Sequence, residues 1–127
     1  MSDLATSVAF YALAGFEVAY ERPAEGFAFL ALPQAQLMLQ VAAGPGRRFR
    51  TAPLERPYGR GVNLQLEVRD VDGLYRRFVD AGHRVVVPVE ERWYRAGDTE
   101  VGHRQFVVAD PDGYLLRPYM PLALRSI

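Results

Sequence analysis

A chain of 127 residues, half of them hydrophobic, has the material for one compact domain and little more. Fifteen arginines balance fifteen acidic residues and there is no lysine, so the net charge is zero, which argues against a general electrostatic role on nucleic acid or acidic membranes. Without cysteine there is neither a disulfide framework nor thiolate chemistry; no apolar run approaches a membrane helix and no basic stretch with an apolar core opens the chain, so the expectation is a soluble cytoplasmic protein.

The first expected element is a helix in "SDLATSVAFYALAGFEV", residues 2–18. Asp3 stands where a carboxylate can accept orphan backbone N–H groups, Leu4, Val8, Tyr11 and Ala12 recur at helical spacing, and Gly15 marks the stop. Three strand-like runs follow: "FEVAYE", "FAFLAL" and "QLMLQVA". The last alternates, with Leu37, Leu39 and Val41 on one face and Gln36, Met38 and Gln40 on the other. A Gly-, Pro- and Arg-rich connector, residues 43–61, carries Arg47, Arg48, Phe49, Arg50, Arg56, Tyr58 and Arg60, and reads as a solvated flap rather than a nucleic-acid surface.

The strand "VNLQLEV" then alternates strictly, Val62, Leu64, Leu66 and Val68 against Asn63, Gln65 and Glu67. A second helix is expected in "RDVDGLYRRFVDAGHRV", residues 69–85, capped by Asp70, with Val71, Leu74, Tyr75 and Phe78 on its apolar stripe and Gly82 at its end. His83, just after that glycine, reads as structural, a cation suited to the helix C-terminus. Three more runs follow, "RVVVPVEE", "HRQFVVA" and "YLLRPYM". Trp93 and Tyr94 fall at a strand end before the polar loop "RAGDTEVG", where an aromatic ring stacks on a heteroaromatic ligand or packs internally. The last two runs are joined by Asp110-Pro111-Asp112-Gly113, in which Asp-Gly supplies the positive φ of a tight turn.

The two helical segments match each other at a constant offset of 67 residues, Asp3 with Asp70, Ala14-Gly15 with Ala81-Gly82 and Val18 with Val85. One module is therefore written twice. The second copy reads β-α-β-β-β; the first reads α-β-β-β, its leading strand falling before Met1. The fold class expected is α+β: paired β-α-β-β-β modules forming a cupped mixed sheet with helices on the outer face, in a single domain of module one (1–42), connector (43–61), module two (62–120) and tail (121–127). Alternation then lines the cup with Gln36, Met38, Gln40, Asn63, Gln65, Glu67, Leu115, Arg117 and Tyr119, joined by Gln105 and Val107 if Phe106 and Val108 face the helices. Arg117 is a permanent cation inside a strand. It either clamps a ligand's carboxylate or flat ring, or pairs with Glu67.

The repeated modules, each helix opening on Ser/Arg-Asp and closing on Ala-Gly, together with "FVVADPDGYLLR", resemble the vicinal-oxygen-chelate superfamily, which includes glyoxalase I, extradiol dioxygenases and the fosfomycin- and bleomycin-resistance proteins. The resemblance runs from residue 2 to about residue 120. In its metal-using members His, Glu or Gln ligands project from the first and last strands of each module. Carried over, those seats fall on Asn63, on Arg117 and, with a one-residue ambiguity of register, on Met38; the fourth belongs to the leading strand. Arginine has no lone pair to give and a thioether is a soft donor, so no metal and no cofactor is expected.

Within the superfamily this pattern is similar to the bleomycin-resistance proteins, dimers that bind a glycopeptide drug stoichiometrically without chemistry on it. The resemblance therefore implies a metal-free small-molecule binding protein and a homodimer, with no nucleic-acid or membrane partner. Its candidate ligand-binding residues are Met38, Gln40, Asn63, Gln65, Glu67, Trp93, Gln105 and Arg117. The alternatives are a metal-dependent glyoxalase- or dioxygenase-like lyase, and a metal-free enzyme in which Glu67 is the one plausible base.

Overall fold

A computed structural model of the chain describes residues 1–44 and 49–126. Arg47 and Arg48 of the connector lie outside the described residues. The chain divides into two compact units, Met1–Arg60 with Pro111–Gly113, and Gly61–Asp110 with Tyr114–Ile127. Each carries one helix on one sheet, and the class is α+β.

In the first unit, helix α1 spans Leu4–Leu13, and the Asp3 carboxylate caps it by accepting from the Thr6 N–H at 2.9 Å. Its inward face differs from the expected stripe. Ser7, Phe10 and Tyr11 are buried, Leu4 and Val8 half-buried, and Ala12 exposed. Two adjacent aromatic side chains turn the helix about Phe10, because they hide more area than Leu4 and Ala12 together. Strands β1 (Glu17–Arg22), β2 (Phe27–Leu32) and β3 (Ala35–Gln40) form an antiparallel sheet in that order, and a short 3-10 turn at Pro23–Glu25 joins the first two. Ala28, Leu30 and Leu39 are buried among the core of the unit, so α1 packs on that face.

β3 lies at an edge of this sheet, and Met1 meets it. The terminal ammonium donates to the Gln40 carbonyl at 3.1 Å and the Met1 carbonyl accepts from Ala42 N–H at 2.9 Å. Val68, its match in the repeat, donates in the same way to the Tyr119 carbonyl at 2.9 Å. Met1 thus makes beside β3, within the first unit, the kind of backbone contact that Val68 makes within the second.

In the second unit, β4 (Asn63–Glu67) runs parallel to β7 (Leu115–Pro121), and β6 (Thr99–Ala109) and β5 (Val85–Ala96) complete the order β4-β7-β6-β5 by antiparallel pairing. A two-residue strand β8 (Arg125–Ser126) adds to β6. Helix α2 (Val71–Asp80) is capped by Asp70, whose carboxylate accepts from Gly73 N–H at 3.0 Å. Its Val71, Leu74 and Phe78 are buried, as the stripe predicts. Tyr75 and Phe78 meet Phe106 edge-on at 5.2 and 6.1 Å, and Phe106, Val108 and Leu116 form the rest of this core. On β4, however, only Leu66 is buried; Leu64 and Val62 are exposed.

The expected polar loop at 95–102 is instead the tip of a long hairpin, in which β5 runs to Ala96 and β6 starts at Thr99. Gly97 takes φ +66° at the first turn position, the conformation a two-residue connection requires. Among the described residues no helix is long and apolar enough to cross a membrane.

Candidate functional site

Strand register decides which side chains share a face. In the second unit Phe106 and Val108 point to α2, so Val101, His103, Gln105 and Val107 point the other way. Gln105 stands opposite Tyr119 on β7 and Glu90 on β5; Gln65 stands beside Arg117, Glu67 beside Tyr119 and Asn63 beside Leu115. Asn63, Gln65, Glu67, Gln105 and Arg117 therefore occupy one sheet face, as alternation predicts. Tyr94, His103, Glu90 and Tyr119 share it.

Arg117 does not pair with Glu67. Its Nη2 donates to the Gln65 Oε1 at 2.8 Å, and among the described residues no ion pair joins it to a carboxylate. The reason is the parallel register: Gln65 is the direct neighbour of Arg117, whereas Glu67 lies one pleat period, about 6.6 Å, further along the strand.

Beside this pair is a connected set of rings and amides. His103 lies between Tyr119, at 4.4 Å between ring centroids, and Tyr94, at 5.7 Å. Gln105, only 3 % exposed, donates its amide N–H groups to the Tyr94 hydroxyl at 2.6 Å and the Glu90 carboxylate at 3.3 Å. Three polar atoms on this face are buried without a partner: Gln105 Oε1, His103 Nδ1 and Arg117 Nε. Buried polar groups are ordinarily paired, so three orphans on one face mark it out.

Trp93 is a correction. It pairs with Gly102 and lies on the α2 side of the sheet, with the Arg125 guanidinium 4.0 Å over its ring. The aromatic on the polar face is its neighbour Tyr94. Successive strand residues alternate sides, and Pro88 together with the register shift between Val87 and Glu90 obscures the phase in the sequence. The same irregularity hides Glu90.

Met38 and Gln40 belong to the first unit, on the face of β3 away from α1. Met38 pairs with Phe29 and is 67 % exposed; Gln40 pairs with Phe27. Tyr20 stacks on Phe29 at 5.0 Å, nearly parallel at 7°, and the Arg22 guanidinium lies 4.0 Å over Phe27. This face is therefore aromatic rather than amide-lined. The signal was the aromatic pair at alternate positions of "FAFLAL".

His83, expected at the helix end as a cation, is instead pushed toward the neutral form by burial, against the edge of Phe78 at 5.8 Å.

Among curated proteins none matches the chain. Solved structures do. TioX from Micromonospora sp. ML1 superposes with a TM-score of 0.71 at 21 % identity, covering 96 % of this chain and 93 % of its own. The virulence protein STM3117 from Salmonella typhimurium gives 0.71 at 18 % identity, covering 96 % and 90 %. A glyoxalase/bleomycin resistance protein/dioxygenase from Alicyclobacillus acidocaldarius gives 0.62 at 20 %, covering 97 % and 86 %. At these identities the likeness is one of fold. The family model of the Glyoxalase/Bleomycin resistance protein/Dioxygenase superfamily matches residues 1–117, and the chain belongs to that superfamily.

Proposed function

We propose that the protein is a metal-free small-molecule binding protein of the bleomycin-resistance type, sequestering a glycopeptide-like ligand without chemistry on it. The observation that carries the reading is the Arg117–Gln65 hydrogen bond, made where a metal-using relative would place a carboxylate. A guanidinium has no lone pair and stays charged, so it repels a cation at that seat. In the second unit Asn63 adds only an amide beside Arg117, and in the first unit Met38 offers only a thioether; neither suits the divalent ions that want imidazole and carboxylate. Among the described residues no three His, Cys, Asp or Glu side chains gather as a metal site. Amide and ring groups instead suit a polar, partly aromatic ligand.

The working assembly in this reading is a cytoplasmic homodimer with no nucleic-acid or membrane partner. Calorimetry with metal-free bleomycin tests the ligand: stoichiometric uptake at micromolar protein is the expected result, and no heat removes the drug. Metal analysis of the purified protein tests the rest, because stoichiometric Zn²⁺, Ni²⁺, Fe²⁺ or Mn²⁺ would turn the reading to a metal-dependent lyase or dioxygenase.

A further inference from the structure

Cross-strand register arranges the outer face of the first sheet in two rungs. Tyr20, Phe29 and Met38 stand opposite one another on β1, β2 and β3, and Arg22, Phe27 and Gln40 form the next rung. Tyr20 stacks on Phe29, and the Arg22 guanidinium covers Phe27. Met38 closes the first rung on β3, with most of its surface open to solvent.

The chain has no cysteine and three methionines, so thioethers are its only sulfur. Met1 is 8 % exposed, Met120 is half-buried and Met38 is 67 % exposed. A peroxide must reach a thioether to oxidise it, so Met38 is the sulfur that reacts first. In that step a sulfur lone pair attacks one peroxide oxygen. The S–O bond forms as the O–O bond breaks, and sulfur gives up two electrons. The departing hydroxide takes the proton of the transferred oxygen and leaves as water.

The neighbours of Met38 suit the product. Gln36 and Gln40 lie on the same face of β3, one pleat period to either side, and among the described residues neither side-chain amide has a hydrogen-bond partner. A thioether is a weak acceptor and leaves these amides idle. A sulfoxide oxygen is a strong acceptor within reach of both long side chains. Oxidation of a buried methionine disrupts a core, but Met38 stands outside the core of its unit, so the fold survives the change.

We infer that Met38 is a peroxide-reactive modification site, whose sulfoxide accepts from the Gln36 and Gln40 amides and turns the apolar end of the Met38–Phe29–Tyr20 rung polar, weakening ligand uptake. The oxidation stands on exposure and neighbours alone; the effect on uptake rests on the binding reading proposed above.

The test treats the full chain with hydrogen peroxide and follows it by intact mass and peptide mapping. One oxygen should add at Met38 about tenfold or more faster than at Met1 or Met120, with the melting temperature unchanged. Met38→Leu should lack the fast addition. In ¹⁵N spectra the Gln36 and Gln40 side-chain amides should shift on oxidation. Freed of peroxide, the singly oxidised chain should bind metal-free bleomycin about tenfold more weakly, because a polar group now meets the ligand where a thioether did. Methionine sulfoxide reductases, one for each epimer, should restore the affinity. In Met38→Leu the affinity should be the same before and after treatment. Oxygen uptake at Met1 or Met120 as fast as at Met38, silent Gln36 and Gln40 amides, or an oxidised chain that binds as tightly as the reduced one overturns the inference. If even the untreated chain takes up no bleomycin, the binding reading fails, and the rates and amide shifts alone decide the modification site.

Discussion

The Asp112 carboxylate, 1 % exposed, accepts from both the backbone N–H of Ser2, at 3.0 and 3.1 Å, and the Ser2 hydroxyl, at 2.5 Å, across 110 residues of sequence. Arg56 completes the knot, donating to Asp112 at 2.7 Å, to Pro111 carbonyl at 2.7 Å and to Ser2 Oγ at 2.8 Å. The DPDG turn therefore does more than reverse the chain: it ties the start of the chain and the end of the connector into the first unit. Arg56 is far from the free flap residue that composition suggests. Asp112→Asn keeps the shape and removes the charge, and should cost about 2 kcal/mol in urea unfolding at pH 7, discounted because Arg56 is half exposed. An unchanged midpoint would show the knot to be incidental.

The same group makes stability depend on pH at the acid end. Burial pushes Asp112 up, but the Ser2 hydroxyl and N–H, the terminal ammonium and Arg56 together hold it below its ordinary 3.8. A carboxyl depressed in the folded state contributes stability that is complete above its unfolded value and is lost as pH falls through the folded one. Wild-type protein should therefore lose stability below about pH 4, and Asp112→Asn should flatten that limb in unfolding curves taken from pH 5 to pH 2.

His83 adds a second, earlier step of the same sign. Burial lowers its affinity for a proton from the ordinary 6.5. The unfolded chain then binds more protons than the folded one, so stability is complete above about pH 6.5 and falls as pH drops from there toward the folded value. His83→Gln should remove the pH dependence between about pH 7 and pH 5 and leave the acid limb below pH 4 in place. Thermal melts at closely spaced pH values check it; an identical slope in the variant would mean that His83 titrates alike in both states.

Much of this architecture could be read from the residues, because local chemistry dictated it. Asp3 and Asp70 cap the helices they were expected to cap, and "FAFLAL" forms β2 over the residues expected. Alternation in a regular strand placed Gln65, Glu67 and Arg117 together. It failed where the strand is irregular: Pro88 and the shift between Val87 and Glu90 change the phase, so Trp93 falls on the α2 side and its neighbour Tyr94 on the other. The partner of Arg117 depended on register between strands far apart in sequence, which periodicity within one strand does not carry. The aromatic face of the first unit went unread because the runs that carry Tyr20, Phe27 and Phe29 were read as strands with no face assigned to them.

Gly102 faces Trp93 across the hairpin, and a Cβ there would come within 2.8 Å of the indole ring. The ring is also held by Arg125. Gly102→Ala must push the indole off its seat, which should cost about 1–3 kcal/mol as an overpacked contact does. Trp93 is the only tryptophan, so its fluorescence reports the displacement directly. The expected result is a red-shifted, weaker emission together with a lower melting temperature. Arg125→Ala should lower stability by no more than about 1 kcal/mol, since that end of the hairpin is exposed. Unaltered emission in Gly102→Ala would contradict the close approach.

The two neighbours Trp93 and Tyr94 separate the faces of the sheet by function. If ligand binds on the side of Arg117 and Gln105, the indole on the α2 side does not touch it, whereas the Tyr94 hydroxyl holds the Gln105 amide at 2.6 Å. Trp93→Phe should leave the affinity for metal-free bleomycin within about twofold, because no hydrogen bond on the binding face changes. Tyr94→Phe removes the acceptor for one buried Gln105 N–H, so affinity should fall about fivefold and the melting temperature should drop by the cost of that unsatisfied donor, about 1–3 kcal/mol. Calorimetry on the two variants at one pH distinguishes them. The opposite ranking, with Trp93→Phe the weaker binder, would move the site to the helix side of the sheet and sever it from the orphaned atoms of Gln105, His103 and Arg117.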